Sequence, residues 1–145
     1  MLLYLDMCCL KRPLDDQSQP RVRLESEAVL GLLAAESAEL RFVRSQALWL
    51  ENSQNPLPSR AARVARWLGT PAPIPDAAAL AARTARLIAA GFGNFDALHI
   101  ASAEAAGADC LATCDDRLNA AARRAGTDVR VRVANVVDVA RGMMP

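Results

Sequence analysis

Two short apolar runs that each stop at aspartate constrain the fold of this chain more than any other feature. Leu2–Leu5 ends at Asp6, and Cys110–Thr113 is followed after one residue by Asp115 and Asp116. Each run has the length and composition of a buried β-strand. Because ligands of open parallel sheets bind outside the carboxyl ends of the strands, we expect Asp6 and Asp115 to meet at one edge.

The segment before the second run is predicted to be a buried helix. Asn94 is a suitable N-cap residue, so the helix would begin at Phe95, hold Asp96 in its first turn and end at Gly107. The residues from 98 to 106 are almost all apolar, which favours burial in the core of a layered fold. Asp96 would then enter the same sheet edge, where clustered carboxylates repel one another unless a cation binds.

Strand and helix patterns alternate along the rest of the chain. Segment 8–20 is predicted to be a polar loop, and further strands are expected at 40–43 and 129–133. Helices are expected at 22–36, 46–54, around 60–68, 77–90, 116–125 and 136–141. This alternation predicts an α/β protein with three α/β/α layers and a central, mainly parallel sheet of about four strands, in a single domain over 1–145.

Composition excludes several classes of protein. No apolar run approaches the 18 or more residues of a membrane span, and the opening apolar run is too short for a signal peptide, so we expect a cytoplasmic protein without membrane contact. The net charge of +1 gives no whole-molecule attraction to nucleic acid. Any contact with RNA or DNA must therefore be local.

The four cysteines are interpreted as reduced packing residues. Cys8 and Cys9 are adjacent, whereas Cys110 and Cys114 lie along a predicted strand and its exit, so no disulfide framework is apparent. A zinc site made of all four is conceivable. Vicinal cysteines and a C-x-x-x-C spacing inside a strand nevertheless suit a tetrahedral zinc ion poorly.

Two polar residues fall on predicted apolar helix faces. Glu25 lies on the stripe of the helix at 22–36, and we interpret it as a side chain that snorkels to the surface rather than one that supports a site. His99 is the only histidine and lies three residues after Asp96. We interpret it as a hydrogen-bonded core residue rather than a catalytic base.

Taken together, these features resemble the PIN-domain nucleases, a family that includes the toxin ribonucleases of type II toxin–antitoxin pairs. The resemblance runs nearly from end to end of the chain. It is carried by LLYLD ending in Asp6, by Ser45 followed six residues later by Glu51, by the D-A-L-H-I-A-S-A run that begins at Asp96, and by the T-x-D of Thr113 and Asp115.

The resemblance implies a metal-dependent endoribonuclease with one or two Mg²⁺ or Mn²⁺ ions. The metal ligands would be Asp6, Glu51, Asp96 and Asp115, with Asp116 sharing the role of Asp115. The positions of Ser45 and Thr113 match hydroxyl groups that orient carboxylates or water in such proteins. An antitoxin partner and a homodimer are also implied. Near the predicted mouth of the site, the residues expected to contact RNA are Lys11, Arg12, Arg21 and Arg23.

Other classes fit the sequence less well. A receiver-type phosphoacceptor needs a lysine after a late strand, and the chain beyond Thr113 has none. A haloacid-dehalogenase-like phosphatase needs an aspartate at the position of Cys8. Asp96 and Asp115 could each serve only as helix-terminal charges, and the alternative function is therefore a catalytically inactive PIN-like module that binds a protein.

Overall fold

The computed structural model describes residues 1–143, which form four strands and eight helices. The strands are β1 (Leu2–Leu5), β2 (Arg41–Phe42), β3 (Cys110–Thr113) and β4 (Arg132–Asn135). The helices are α1 (Met7–Lys11), α2 (Pro20–Ala34), α3 (Gln46–Ser53), α4 (Pro58–Leu68), α5 (Ala77–Ala89), α6 (Asn94–Ala105), α7 (Asp116–Ala125) and α8 (Val136–Met143). Two short 3-10 turns cover Arg12–Leu14 and Gly126–Asp128.

All the strands pair in parallel, in the order β2-β1-β3-β4. Leu3 lies opposite Cys110 and Leu5 opposite Ala112, so β1 and β3 end side by side. The backbone amide of Asp6 continues this ladder by donating to the carbonyl oxygen of Ala112 at 3.0 Å. The two acidic strand ends of the sequence are therefore neighbours at one edge of the sheet.

Helices cover both faces of the sheet. Leu3, Tyr4 and Leu5 are consecutive and all fully buried, as expected for a parallel strand with helices on each side. Helix α2 packs against α8, while α6 packs against α3 and α5. The connection from β1 to β2 contains α2, and the connection from β2 to β3 contains α3 and α6 and runs along the sheet in the opposite direction. Because parallel crossovers are right-handed, the two connections lie on opposite faces. The predicted three-layer α/β/α fold with four parallel strands is confirmed.

Within the described residues, no helix combines the length and apolar character needed to cross a lipid bilayer.

The segment after β1 differs from the predicted polar loop. Helix α1 begins immediately after Asp6, whose Oδ1 accepts a hydrogen bond from the amide of Met7 at 2.8 Å. Asp6 thus acts as an N-cap in addition to ending the strand. The consequence is that Cys8 and Cys9 lie on a short helix that packs against β3.

Other boundaries shift by a few residues. The predicted strand 129–133 pairs instead over Arg132–Asn135, because the 3-10 turn and the packing of Val129 and Val131 use the preceding residues. Gly93, not Asn94, is the N-cap of α6, since the Gly93 carbonyl accepts the first helical hydrogen bond. Strand β2 is shorter than predicted, and α2 starts earlier, with proline at its first position.

The interpretation of Glu25 as a snorkelling side chain was wrong. Glu25 is 1% exposed, and its carboxylate lies between two guanidinium groups. Arg12 Nε is 2.8 Å from Oε2, and Arg21 Nε is 2.9 Å from Oε1. Burial is tolerable here because both oxygens have a charged partner. Arg21 lies one helical turn before Glu25, a pairing that spacing can suggest, whereas Arg12 lies in the 3-10 turn before α2, which spacing could not reveal.

Candidate active site

Asp6 lies at the centre of the carboxyl edge of the sheet. Its side chain is only 6% exposed. Oδ1 caps α1, while Oδ2 accepts hydrogen bonds from the Thr113 hydroxyl at 2.9 Å and the Cys8 thiol at 3.3 Å. Burial raises the pKa of Asp6 to about 7, and the nearby Cys8 adds to this rise. The hydroxyl of Thr113 therefore fixes one oxygen of the Asp6 carboxylate.

Asp96 and Asp115 approach this edge from two helix N-termini. Asp96 is half-buried in the first turn of α6, and its pKa is raised to about 6 by burial and by the charges of Asp6 and Asp115. Asp115 is the N-cap of α7, and its Oδ1 accepts from the amides of Arg117 and Leu118. The charges of Asp6 and Asp115 thus act on the carboxyl group of Asp96 across the edge of the sheet.

A chain of hydrogen bonds that runs into the core holds the side chain of Glu51 in place. Its Oε1 lies 3.0 Å from His99 Nε2, and His99 Nδ1 lies 2.6 Å from the hydroxyl of Tyr4. The Tyr4 hydroxyl is in turn 2.7 Å from Ser45 Oγ, which also caps α3 by accepting from the amide of Leu48. A neutral ring that donates from Nε2 and accepts at Nδ1 satisfies this network.

His99 is fully buried and hydrogen-bonded, which confirms its interpretation as a core residue, yet it also contacts the acids. Its Nε2 is 4.0 Å from Asp6 Oδ1. Burial alone would lower the pKa of His99, but the hydrogen bond to Glu51 and the charges of Asp6, Glu51 and Asp96 outweigh it, so the pKa is raised. The neighbouring acids therefore favour the protonated form of His99 more strongly than burial disfavours it.

Tyr4 and the link from His99 to Glu51 were missed by sequence reasoning. One oxygen or nitrogen from each of Asp6, Glu51 and His99 lies within 4.8 Å of the others. Two signals were available: Tyr4 precedes Asp6 by two residues, which puts both on one side of an extended chain, and His99 follows Asp96 by one helical turn. Neither signal identifies the partner across the fold.

Asp116 points away from the other acids. It is exposed, and both of its oxygens lie 2.8 Å from the guanidinium group of Arg21, which lowers the pKa of Asp116. Among the residues expected to contact RNA, Arg12 and Arg21 are both held by Glu25. Lys11 ends α1 half-buried, and Arg23 is exposed on α2.

The arrangement offers a set of oxygen donors suited to a hard cation. The carboxylates come from four different elements: the end of β1, α3, α6 and the start of α7. Burial raises the pKa of both Asp6 and Asp96, and the negative charges of Asp6 and Asp115 add to the rise at Asp96. A divalent cation that prefers oxygen would remove that repulsion, so this donor set fits Mg²⁺ or Mn²⁺.

Comparison with known protein families identifies the class of protein to which a chain with this fold and this acidic edge belongs. The model of the PIN domain matches residues 4–124. The chain therefore belongs to the PIN domain family, and the resemblance found in the sequence is confirmed.

A solved structure supports the same fold. A chain from the crystal structure of FitAcB from Neisseria gonorrhoeae superposes with a TM-score of 0.55 and 18% sequence identity, over 94% of this chain and 98% of the other. At this identity the likeness concerns the fold. Among curated proteins, no sequence matches the chain.

Proposed function

We propose that this PIN-domain protein is a Mg²⁺- or Mn²⁺-dependent endoribonuclease. The observation that carries the proposal is the pair Asp6 and Glu51, with one oxygen of each within 4.8 Å of the other at the edge where β1 and β3 end. The charges of Asp6 and Asp115 acting on Asp96 support adding Asp96 and Asp115 to the ligand set. When bound, Mg²⁺ or Mn²⁺ supplies Lewis acidity that polarises a phosphodiester and makes water a better nucleophile. The four carboxylates would hold it, and Asp116 would contribute at the rim once Arg21 releases it.

The remaining contacts of the site fix the orientation of these carboxylates. Thr113 holds Oδ2 of Asp6, and His99 holds Glu51. Because His99 is itself fixed by Tyr4 and Ser45 in the core, the position of Glu51 depends on packed residues rather than on a mobile side chain. Such preorganisation reduces the reorganisation needed when charge develops on a phosphate.

Basic residues beside the acidic edge are proposed to contact RNA. Lys11 and Arg23 are the cations of this group that hold no salt bridge among the described residues. Arg21 links Glu25 to Asp116 and could exchange the exposed Asp116 for a phosphate, because a surface ion pair is worth little. Binding through these few charges should weaken as the salt concentration rises.

Calorimetric titration of Mn²⁺ tests the metal site directly. Asp96→Asn removes one ligand charge with little change of shape, and we expect its affinity for Mn²⁺ to fall at least tenfold, about 1.4 kcal/mol. Asp109→Asn is the matched control. Asp109 is at the opposite end of β3, and its side-chain oxygen can still accept from the amide of Leu2. Equal binding by wild type and Asp96→Asn contradicts the proposed ligand set.

RNA cleavage with the same three proteins tests the activity. We expect Mg²⁺- or Mn²⁺-dependent cleavage by the wild type and by Asp109→Asn, and loss of cleavage by Asp96→Asn. If the folded wild type binds no metal and cuts no RNA, the alternative of an inactive PIN-like protein-binding module takes its place.

A protein partner is a further part of the proposal, supported by an apolar cleft beside α3. The cleft is lined by Trp49, Leu50, Ile74, Leu80 and Leu98. Leu50 and Ile74 are each more than one-third exposed, although they are large apolar side chains. We propose that such surface contributes to a homodimer or to the binding of an antitoxin.

Light scattering and coexpression separate these two partners. A homodimer should have twice the mass of the chain and become monomeric in Leu50→Glu. An antitoxin encoded beside this chain should bind it and suppress RNA cleavage on coexpression. A wild-type monomer contradicts the homodimer.

A further inference from the structure

Three of the four cysteines come together beside the acidic edge. Cys8 and Cys9 lie on α1, and Cys114 follows β3, more than 100 residues away in the chain. Their three sulfur atoms all lie within 4.8 Å of one another. No disulfide joins them, and Cys110 lies outside the cluster. Adjacent helical residues diverge by roughly 100°, yet both cysteines contact the residue after β3. Cys8 Sγ accepts from the amide of Cys114, and Cys9 Sγ lies 3.6 Å from the Cys114 sulfur.

The separation of two of the sulfur atoms is close to that of thiolates around one tetrahedral zinc ion. With Zn–S bonds of about 2.3 Å, two thiolates on one tetrahedral ion are about 3.8 Å apart. Cys9 Sγ and Cys114 Sγ are separated by 3.6 Å, and Cys8 Sγ lies within 4.8 Å of both. A small change in the side-chain positions would therefore bring the three thiols to the spacing of zinc ligands.

The surroundings of the thiols supply the other features of a thiolate–metal site. Asp6 Oδ2 lies 3.3 Å from Cys8 Sγ, so a carboxylate oxygen is available as a fourth ligand. The backbone amide of Cys114 donates to Cys8 Sγ at 3.3 Å, a contact that supports a metal-bound sulfur. Cys8 is only half-buried, which provides a path from the surface to the two buried thiols.

We propose that Cys8, Cys9 and Cys114 form a zinc-binding site, separate from the carboxylate site for Mg²⁺ or Mn²⁺ but sharing Asp6 with it. Sulfur ligands select Zn²⁺ over the harder ions, whereas the carboxylates favour the reverse. The spacing of the four cysteines along the chain disfavoured a zinc site made of all four. The site instead uses three, and it exists because α1 replaces the predicted loop.

Cobalt provides the spectroscopic test. The full-length protein, stripped of metal and kept reduced by a phosphine, is titrated with Co²⁺. We expect one Co²⁺ per chain with an intense thiolate-to-cobalt charge-transfer band, which added Zn²⁺ removes. A folded, reduced wild type without this band overturns the proposal.

Serine variants locate the site. Cys114→Ser and Cys9→Ser should each weaken Co²⁺ binding at least tenfold or abolish the band, while Cys110→Ser, in the same strand but outside the cluster, should retain it. Circular dichroism checks that each variant folds. If either buried variant unfolds, the half-buried Cys8→Ser decides the question. An unchanged band in the folded cluster variants contradicts the assignment.

A regulatory consequence rests on the proposed nuclease function. Because zinc at the thiols would draw on Asp6, one equivalent of Zn²⁺ should inhibit Mg²⁺-dependent RNA cleavage, and Cys114→Ser should relieve this inhibition. The cobalt band does not depend on RNA cleavage. Asp96→Asn should keep the band even though it loses the nuclease activity, so failure of one proposal is distinguishable from failure of the other.

Discussion

Replacing Asp6 with asparagine should change how the stability of the metal-free protein depends on pH. The pKa of Asp6 is about 7 in the fold, against 3.8 for an unperturbed aspartate. Between these values the folded protein holds a proton that the unfolded chain releases. The wild type therefore loses stability as the pH rises from about 4 to about 7. Asparagine has no proton to release, so the variant escapes this loss.

The size of the effect follows from the two pKa values. Moving a pKa from 3.8 to about 7 corresponds to about 4 kcal/mol once Asp6 is fully ionised in the fold. Of this, about 2 kcal/mol is already lost at about pH 5. The stability of Asp6→Asn relative to the wild type should thus increase by about 2 kcal/mol between about pH 5 and about pH 8. The altered hydrogen bond from Thr113 costs about 1 kcal/mol at either pH and cancels.

Urea unfolding followed by circular dichroism measures this difference at both pH values, in the presence of a chelator. Asp138→Asn is the control, because Asp138 is an exposed carboxylate on α8 and remains solvated in both states. Its stability relative to the wild type should stay nearly constant. If the difference between Asp6→Asn and the wild type is the same at both pH values, or shrinks as the pH rises, the argument from a buried, proton-binding carboxylate is refuted.

Substitutions at three further positions test other contacts by urea unfolding. Glu25→Ala should destabilise the fold by about 2 kcal/mol, less than the 3–5 kcal/mol of a fully buried pair, because the guanidinium side chains left behind are 23% and 55% exposed and can regain water. Tyr4→Phe should cost about 2 kcal/mol, since His99 Nδ1 and the Ser45 hydroxyl lose a buried partner; a near-neutral result would contradict the role of that network. Asp115→Ala should be about 1 kcal/mol less stable than Asp115→Asn, which keeps the helix cap. Both Asp115 variants should lose RNA cleavage, and cleavage by either one would remove Asp115 from the proposed ligand set.

Local patterns were sufficient to predict most elements. The strands that end at Asp6 and near Asp115, and the apolar helix that carries Asp96, depend on short runs of apolar residues whose period is visible in the sequence. The errors have a common cause. Helix α1 is only five residues long and carries no apolar period, so its start depends on a cap made by a residue that also ends a strand. The position of β4 was set by its register with β3, which is a long-range property.

For buried polar residues too, the sequence indicates the helix face, whereas the fold decides the hydrogen-bond and ion-pair partners. Glu25 was interpreted as a snorkelling side chain because it lies on an apolar helix face. Its partner Arg21 is one helical turn away, but its second partner, Arg12, lies before α2 and is brought to Glu25 only by the fold. His99 was correctly interpreted as a hydrogen-bonded core residue, but its partners are 95 and 48 residues away. Hydrogen-bond partners at such separations follow from the topology and not from spacing.

The sequence by itself determined the α/β class, the parallel sheet and the family, because these depend on periodicity and on motifs in a fixed order. It also identified the acids that stand at strand and helix ends. Tertiary structure alone decided which groups meet: His99 with Glu51, Arg21 with Asp116, and Cys8 and Cys9 with Cys114. The physical reason is that hydrogen bonds, ion pairs and metal sites require atoms within a few ångströms, and only the packing of α1, α3 and α6 around the ends of β1 and β3 sets those distances.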